Sequence, residues 1–227
     1  MNTVVKPIAT VAIGLQIAIL AAGFSRRLGR PKALARIHGI SLLRRTLCMA
    51  SRVSGSKVIV IVPPQYVRYR TEARGFKVVF TVNSRRTGGL STSVRRSIAR
   101  ARYSTAVMLL PVDLATLQRG DLDRLVSRWR GFTRRVIARR IRQEGASAHD
   151  GVQMGGVQMG GVPLILPRWL YARALEITGD TGLRELVNRL PAGQRILVDL
   201  PSAASDIDTP EDLRAARRRL RHSSFAI

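Results

Sequence analysis

The sequence predicts an α/β fold, a mostly parallel sheet flanked by helices with a small mixed extension. Strand-length apolar runs alternate with helical stretches over about 140 residues, the pattern of βαβ units with right-handed crossovers. The runs are apolar almost throughout, as strands buried on both faces are. Two of them empty directly into loops bearing Gly, Ser, Arg and Lys or an Asp. In such sheets ligands sit beyond the carboxyl ends of the strands.

Gln16–Ala22 reads as the first strand. Ser41–Val53 follows as a helix, with Ser41 as N-cap and Leu42, Leu43, Leu47 and Ala50 at helical spacing. Lys57–Val62 is a β-branched strand ended by Pro63-Pro64. Phe76–Val82 is a third strand and Ser91–Arg102 a helix. Thr105–Leu110 is a fourth strand, entering Pro111-Val112-Asp113. Asp121–Trp129 is helical and Arg134–Arg139 strand-like.

Residues 151–160 repeat G-V-Q-M-G twice, too little for a solenoid, and read as a lengthened flexible loop. Val162–Leu166 is a short strand, Arg168–Ile177 and Thr181–Leu190 are helices, and Ile196–Asp199 closes the strands. Thr209-Pro210-Glu211-Asp212 starts a terminal helix, Pro210–Leu220, with an N-cap, a proline in its first turn and acids there. We expect one domain over residues 16–220, an extension over 1–15 and a tail over 221–227.

Thirty-nine Lys and Arg against fourteen Asp and Glu give a net charge of +25, which predicts weak, salt-sensitive attraction to polyanions. The excess runs from Arg26 to Arg221 rather than in one stripe, and aromatics are few. A solvated arginine-rich surface is therefore expected, without stacking platforms for single strands. One cysteine, Cys48, excludes an intrachain disulfide and fits a reducing compartment. Pro7–Phe24 is barely long enough to cross a bilayer, and cleavage near Ala22 would remove the first strand. The expectation is a cytoplasmic protein with no membrane partner.

The loop after the first strand carries the most information. Gly23 and Gly29 permit close approach of the backbone, and Arg26, Arg27, Arg30 and Lys32 bring cationic donors suited to a triphosphate. Five residues separate the glycines and no Gly-Lys-Ser/Thr follows, so it is not a P-loop; no G-x-G-x-x-G is present either. Asp113, directly after an apolar strand, suits either a metal or an Asx-turn. Asp206 and Asp208 would share one face if their segment were strand-like.

Ala21, Ala22, Gly23, Ser25, Arg27, Gly29, Pro31 and Lys32 match A-A-G-x-S-x-R-x-G-x-P-K in register. The chain resembles the molybdenum cofactor cytidylyltransferases of the MobA-like NTP transferase family. Four further segments follow in family order: Asn83 to Arg95, P-V-D at Asp113, Gly160 to Arg168 together with Gly179-Asp180-Thr181-Gly182, and D-I-D-T-P-E-D-L at 206–213. The resemblance implies a Rossmann-like nucleotidyltransferase fold and attack of the molybdopterin phosphate on the α-phosphate of CTP, releasing pyrophosphate. It implies that Lys32 and Arg27 hold the triphosphate, and that Asp113 and Asp208 hold Mg2+. Asn83, Gly89, Ser91 and Ser93 would support base and ribose, and Arg168, Asp180 and Gly182 the pterin. A molybdoenzyme is the implied partner.

The departures gather on the acceptor side. Val162 stands where the family has His, and Arg85 and Arg86 replace acidic and aromatic residues. Transfer of GMP or another nucleotide, another phosphorylated acceptor, and a non-catalytic cofactor chaperone or nucleic-acid binder are the alternatives.

Overall fold

Strand β1 (Leu15–Leu20) has a parallel neighbour on each side, β4 (Val58–Val62) and β6 (Ala106–Pro111). The computed structural model describes residues 14–53, 57–142, 158–180, 182–203 and 206–221. Alternate residues of β1 serve two cores: Ile17 and Ile19 face one, Ala18 and Leu20 the other. That is why its run shows almost no polar position. The single exception, Gln16, donates its side-chain amide to the Lys57 carbonyl at 2.6 Å.

After β1 comes a two-stranded hairpin, β2 (Arg36–Ile37) and β3 (Ile40–Ser41), then α1 (Leu42–Val53). Ser41 caps α1 as expected, its hydroxyl accepting from the Arg44 N–H at 3.1 Å. The chain continues through β4, α2 (Val67–Glu72), β5 (Val78–Val82), α3 (Leu90–Arg100) and β6. It then runs through α4 (Arg119–Gly131), β7 (Val136–Arg142), β8 (Gln158–Pro167), α5 (Tyr171–Glu176), α6 (Gly182–Asn188), β9 (Arg195–Val198) and α7 (Pro210–Arg219).

The main sheet has seven strands in the order β5-β4-β1-β6-β8-β7-β9. Only β8 runs against the others. Residues of α1, α4 and α7 pack on one face, and residues of α3, α5 and α6 on the other. From β1 the chain builds outward through β4 to β5, then crosses back to β6 on the other side of β1. Such a reversal opens a crevice at the carboxyl ends of β1 and β6. The α/β expectation is met, with β8 supplying the mixed extension.

Several boundaries differ from the sequence reading. The short strand expected at Val162–Leu166 is ten residues long and begins at Gln158. The end of the second G-V-Q-M-G copy therefore lies in the sheet, where pairing with β7 decides, rather than in a loop. The first copy and residues up to 157 lie outside the described residues, as do residues 1–13 of the extension, Thr181, and residues 222–227 of the tail. The helix expected at Arg168 opens as a 3-10 turn, Arg168–Leu170, before α5. The β2–β3 hairpin and α2 were not foreseen. Among the described residues no helix is long and apolar enough to cross a membrane.

The start of α7 forms a reciprocal capping box. The Asp212 N–H donates to Thr209 Oγ1 at 3.2 Å, and Asp212 Oδ2 accepts from the N–H groups of Thr209 (2.8 Å) and Asp208 (3.0 Å). Those backbone bonds, Thr209 first, hold the Asp212 carboxyl below its ordinary range. Their stabilisation is present above the unfolded value and lost as pH falls through the depressed one. Thr209→Ala should cost about 1 kcal/mol of stability, read by chemical denaturation. Asp212→Asn should flatten the acid limb of the stability–pH curve.

Candidate active site

Ala21 and Ala22 are buried where β1 ends, and Gly23 leads the chain into solvent. Ser25 then adopts a left-handed conformation (φ 55°) and organises the turn. Its carbonyl accepts from the N–H groups of Leu28 and Gly29, and its hydroxyl accepts from the Lys32 N–H at 3.0 Å. Gly29, at φ 70°, reverses the chain, while Leu28 and Ala33 anchor the loop in the core. The loop is thereby folded back so that Lys32 points towards the end of β6.

Lys32 Nζ lies 2.9 Å from Asp113 Oδ2 and 2.5 Å from Asp208 Oδ1. Arg27 Nη2 reaches the other Asp208 oxygen at 2.6 Å. Asp113 follows β6, and its carbonyl accepts from the N–H of Ile207 at 3.0 Å. Ile207 is buried, and Asp212 holds the Asp208 backbone, so the second carboxylate is fixed from both sides. Burial alone would lower the Lys32 pKa; the charges and hydrogen bonds of Asp113 and Asp208 outweigh it and raise the value. The ammonium is thus retained at neutral pH.

Asp206 lies near this cluster but does not line the cleft. It pairs instead with Arg139 at 3.5 Å. Partial desolvation, and after it the Asp113 carboxylate, push its pKa up, opposed by Arg139 and Lys32.

These groups line a cleft of about 480 Å³, within the range of small-molecule sites. Its far wall is the loop before α3. Gly89 sits there at φ 79° and ψ −164°, a conformation open essentially to glycine alone. A Cβ would come within 2.5 Å of Asp180 Oδ1 and 2.9 Å of the Gly179 carbonyl carbon. Asp180 accepts from the Leu90 N–H at 2.6 Å and Gly179 from the Ser91 N–H at 3.0 Å, so the 179–180 turn caps α3 and borders the cleft.

The structure brings Ala21, Ala22, Gly23, Ser25, Arg27, Lys32, Gly89, Ser93, Asp113, Asp180 and Asp208 to one cleft. Gly29 shapes the loop from outside it. Four assignments need correction. Arg168 lies at the other end of the sheet, because β8 is antiparallel and its last residue pairs with the first residue of β6. Asn83 is fully buried: its amide donates to Thr92 and Ser93, and its oxygen accepts from the Arg85 N–H. It steadies the first turn of α3 and does not line the cleft. Gly182 packs against Ile177 outside the cleft. Ser91 is buried, bonds the Gly88 carbonyl, and borders only the shallower depression behind Gly89.

Phe24 and Arg86 are among the lining residues that sequence reasoning missed. The Phe24 ring lies 4.2 Å from the Arg86 guanidinium and 5.2 Å from that of Arg26, joining the two walls. Phe24 occupies an unspecified position of the loop signature, and Arg86 stood out only as a departure.

Asp113 and Asp208 offer hard oxygen donors converging on one point, beside a cleft open to water and substrate. That suits Mg2+, which takes one or two carboxylates and completes its shell with substrate oxygens and water. Among the described residues no group of three or more His, Cys, Asp or Glu could hold a metal by itself. Gly89→Ala should lower the stability read by chemical denaturation, while Gly23→Ala, which meets no atom within 4 Å, disturbs the backbone far less.

Comparison with known proteins places these features. The chain is 30% identical over an alignment of 228 positions to the bifunctional IPC transferase and DIPP synthase of Rubrobacter xylanophilus, covering 88% of this chain and 51% of that protein. It thus spans about half the length of that relative. The crystal structure of Rv0371c from Mycobacterium tuberculosis H37Rv superposes with a TM-score of 0.66 at 25% identity, covering 91% of this chain and 98% of that one. The 2-C-methyl-D-erythritol 4-phosphate cytidylyltransferase of Thermus thermophilus shares the fold, with a TM-score of 0.63 at 23% identity over 92% of this chain and all (100%) of that one. The model of the MobA-like NTP transferase domain matches residues 17–194, and the chain belongs to that family of nucleotidyltransferases.

Proposed function

We propose that the chain transfers CMP from CTP to a phosphate monoester, releasing pyrophosphate. The observation that carries this reading is the convergence of Lys32, Asp113 and Asp208 beside a glycine-bearing loop at the switch point of the sheet. An acceptor phosphate oxygen attacks the α-phosphorus, the bond from that phosphorus to the bridging oxygen breaks, and pyrophosphate departs. The nucleophile is already an anion, so no side chain need act as a strong base. The chain must instead bring two anions together and offset charge on the leaving group.

Lys32, Arg26 and Arg27 stand where a triphosphate folds against the loop. Asp113 and Asp208 would hold Mg2+, which supplies Lewis-acid neutralisation of the phosphoryl oxygens. The Lys32 ammonium bridges both carboxylates. A triphosphate that engages Lys32 would draw it off them and leave Asp113 and Asp208 to hold the metal.

Molybdopterin, the acceptor that the sequence resemblance implies, keeps Asp180 at the cleft but loses Arg168 and the family's His at Val162. A second reading has a small polyol phosphate, as the Thermus thermophilus relative's name suggests, and that protein's similarity of fold favours testing it. The deciding experiment measures pyrophosphate release with CTP, GTP or ATP against molybdopterin and 2-C-methyl-D-erythritol 4-phosphate. Release with CTP and either acceptor identifies the substrate. CTP binding without release from any acceptor would favour a cofactor carrier. Asp113→Asn should abolish release, and Lys32→Met should lower kcat by about 10²–10³, the usual loss for one preorganised charge partner.

A further inference from the structure

Among the described residues four aromatic side chains are well exposed, and three of them lie away from the cleft: Tyr103, Phe132 and Trp169. Topology gathers them. Tyr103 precedes β6, Phe132 precedes β7, and Trp169 follows the antiparallel β8, so all three emerge at the amino end of the parallel strands. These strands are adjacent in the order β6-β8-β7, which puts their ends within about 10 Å across the sheet. The Arg168 N–H donates to the Thr105 carbonyl at 2.9 Å, and Trp169 Nε1–H to the Arg134 carbonyl at 2.8 Å, tying the three segments together.

Arginines interleave with the rings. The Arg102 guanidinium lies 4.5 Å from the Tyr103 centroid and that of Arg135 4.9 Å from the Phe132 centroid. Arg134 and Arg168 are exposed beside Trp169. None of these four arginines has a carboxylate partner among the described residues, whereas Arg119, Arg189 and Arg214 elsewhere do. Sequence alone showed a diffuse charge and few aromatics; the fold concentrates the exposed rings among unpaired cations.

We propose that this end of the sheet binds single-stranded nucleic acid, the three rings stacking bases and the four arginines meeting phosphates. Unpaired bases offer flat π-faces that any aromatic ring accepts, and guanidiniums add both charge and stacking. A duplex hides those faces. A lipid surface would favour a projecting apolar edge, but here two of the rings are flanked by guanidinium groups. The site is separated from the cleft by the length of β6, about 17 Å for six residues.

The test is fluorescence anisotropy of labelled dT and U oligonucleotides of about 16 nucleotides, titrated over a range of NaCl concentrations. The double variant Tyr103→Ala/Trp169→Ala should weaken binding at least tenfold with CTP affinity unchanged. Arg134→Gln/Arg168→Gln should weaken it and flatten the salt slope by about 1.4, for two phosphates at roughly 0.7 each. Binding should quench tryptophan emission in the wild type and leave it unquenched in Trp169→Phe. Tighter binding of U than of dT assigns the face to RNA, and the reverse to single-stranded DNA. Unchanged affinity in the aromatic variant would overturn the proposal, because net charge alone would then explain binding. So would binding to phosphatidylserine vesicles with none to either oligonucleotide.

Discussion

The bridge from the Lys32 ammonium to the carboxylates of Asp113 and Asp208 is the contact on which the rest of the site depends. Three chain segments far apart in sequence meet there: the loop after β1, the end of β6 and the lead into α7. Each is fixed by its own local device. Ser25 and Gly29 turn the first loop, the bond from Ile207 N–H to the Asp113 carbonyl joins the second to the third, and the capping box of α7 holds Asp208. Lys32 is largely shielded from water, with only 16% of its side chain exposed, so the attraction is weakly screened there. Arg27, 71% exposed, adds a contact that solvent weakens far more.

The same arrangement explains how an acid-poor chain can manage charge. Most of its arginines face solvent, but at the centre of the cleft Lys32 and Arg27 are matched to Asp113 and Asp208. In the proposed reaction a triphosphate would change that balance by competing for Lys32 and Arg27. Binding and charge neutralisation at the reacting phosphate would then become one event, which suits the proposed reaction between two anions.

Much of this was legible in the sequence, for local reasons. The β-branched run of β4, the Ser41 cap and the Thr209-Pro210-Glu211-Asp212 start are set by neighbours in the chain, and they stand where expected. The Gly23–Lys32 loop was readable because its glycines and cations act through backbone conformation and charge. What depends on distant partners was not. Nothing in residues 158–167 reveals that β8 runs antiparallel, and that direction alone carries Arg168 to the wrong end of the sheet for the cleft. Asp206 and Asp208 were paired by an alternation rule that cannot tell which partner each carboxylate takes; Asp208 meets Lys32 and Arg27, whereas Asp206 pairs with Arg139. Asn83 looked like a ligand group because burial cannot be read from a polar residue's identity, and its amide is fully engaged within the protein.

The central claim is that Lys32 occupies the point where Asp113 and Asp208 would receive a metal. The most direct measurement is Mn2+ affinity of the nucleotide-free protein, wild type against Lys32→Met, by the loss of the free-ion signal in electron paramagnetic resonance. The account predicts at least tenfold tighter binding in the variant, because the two carboxylates then converge on a point that no ammonium fills. Equal or weaker binding in a folded Lys32→Met protein would contradict it.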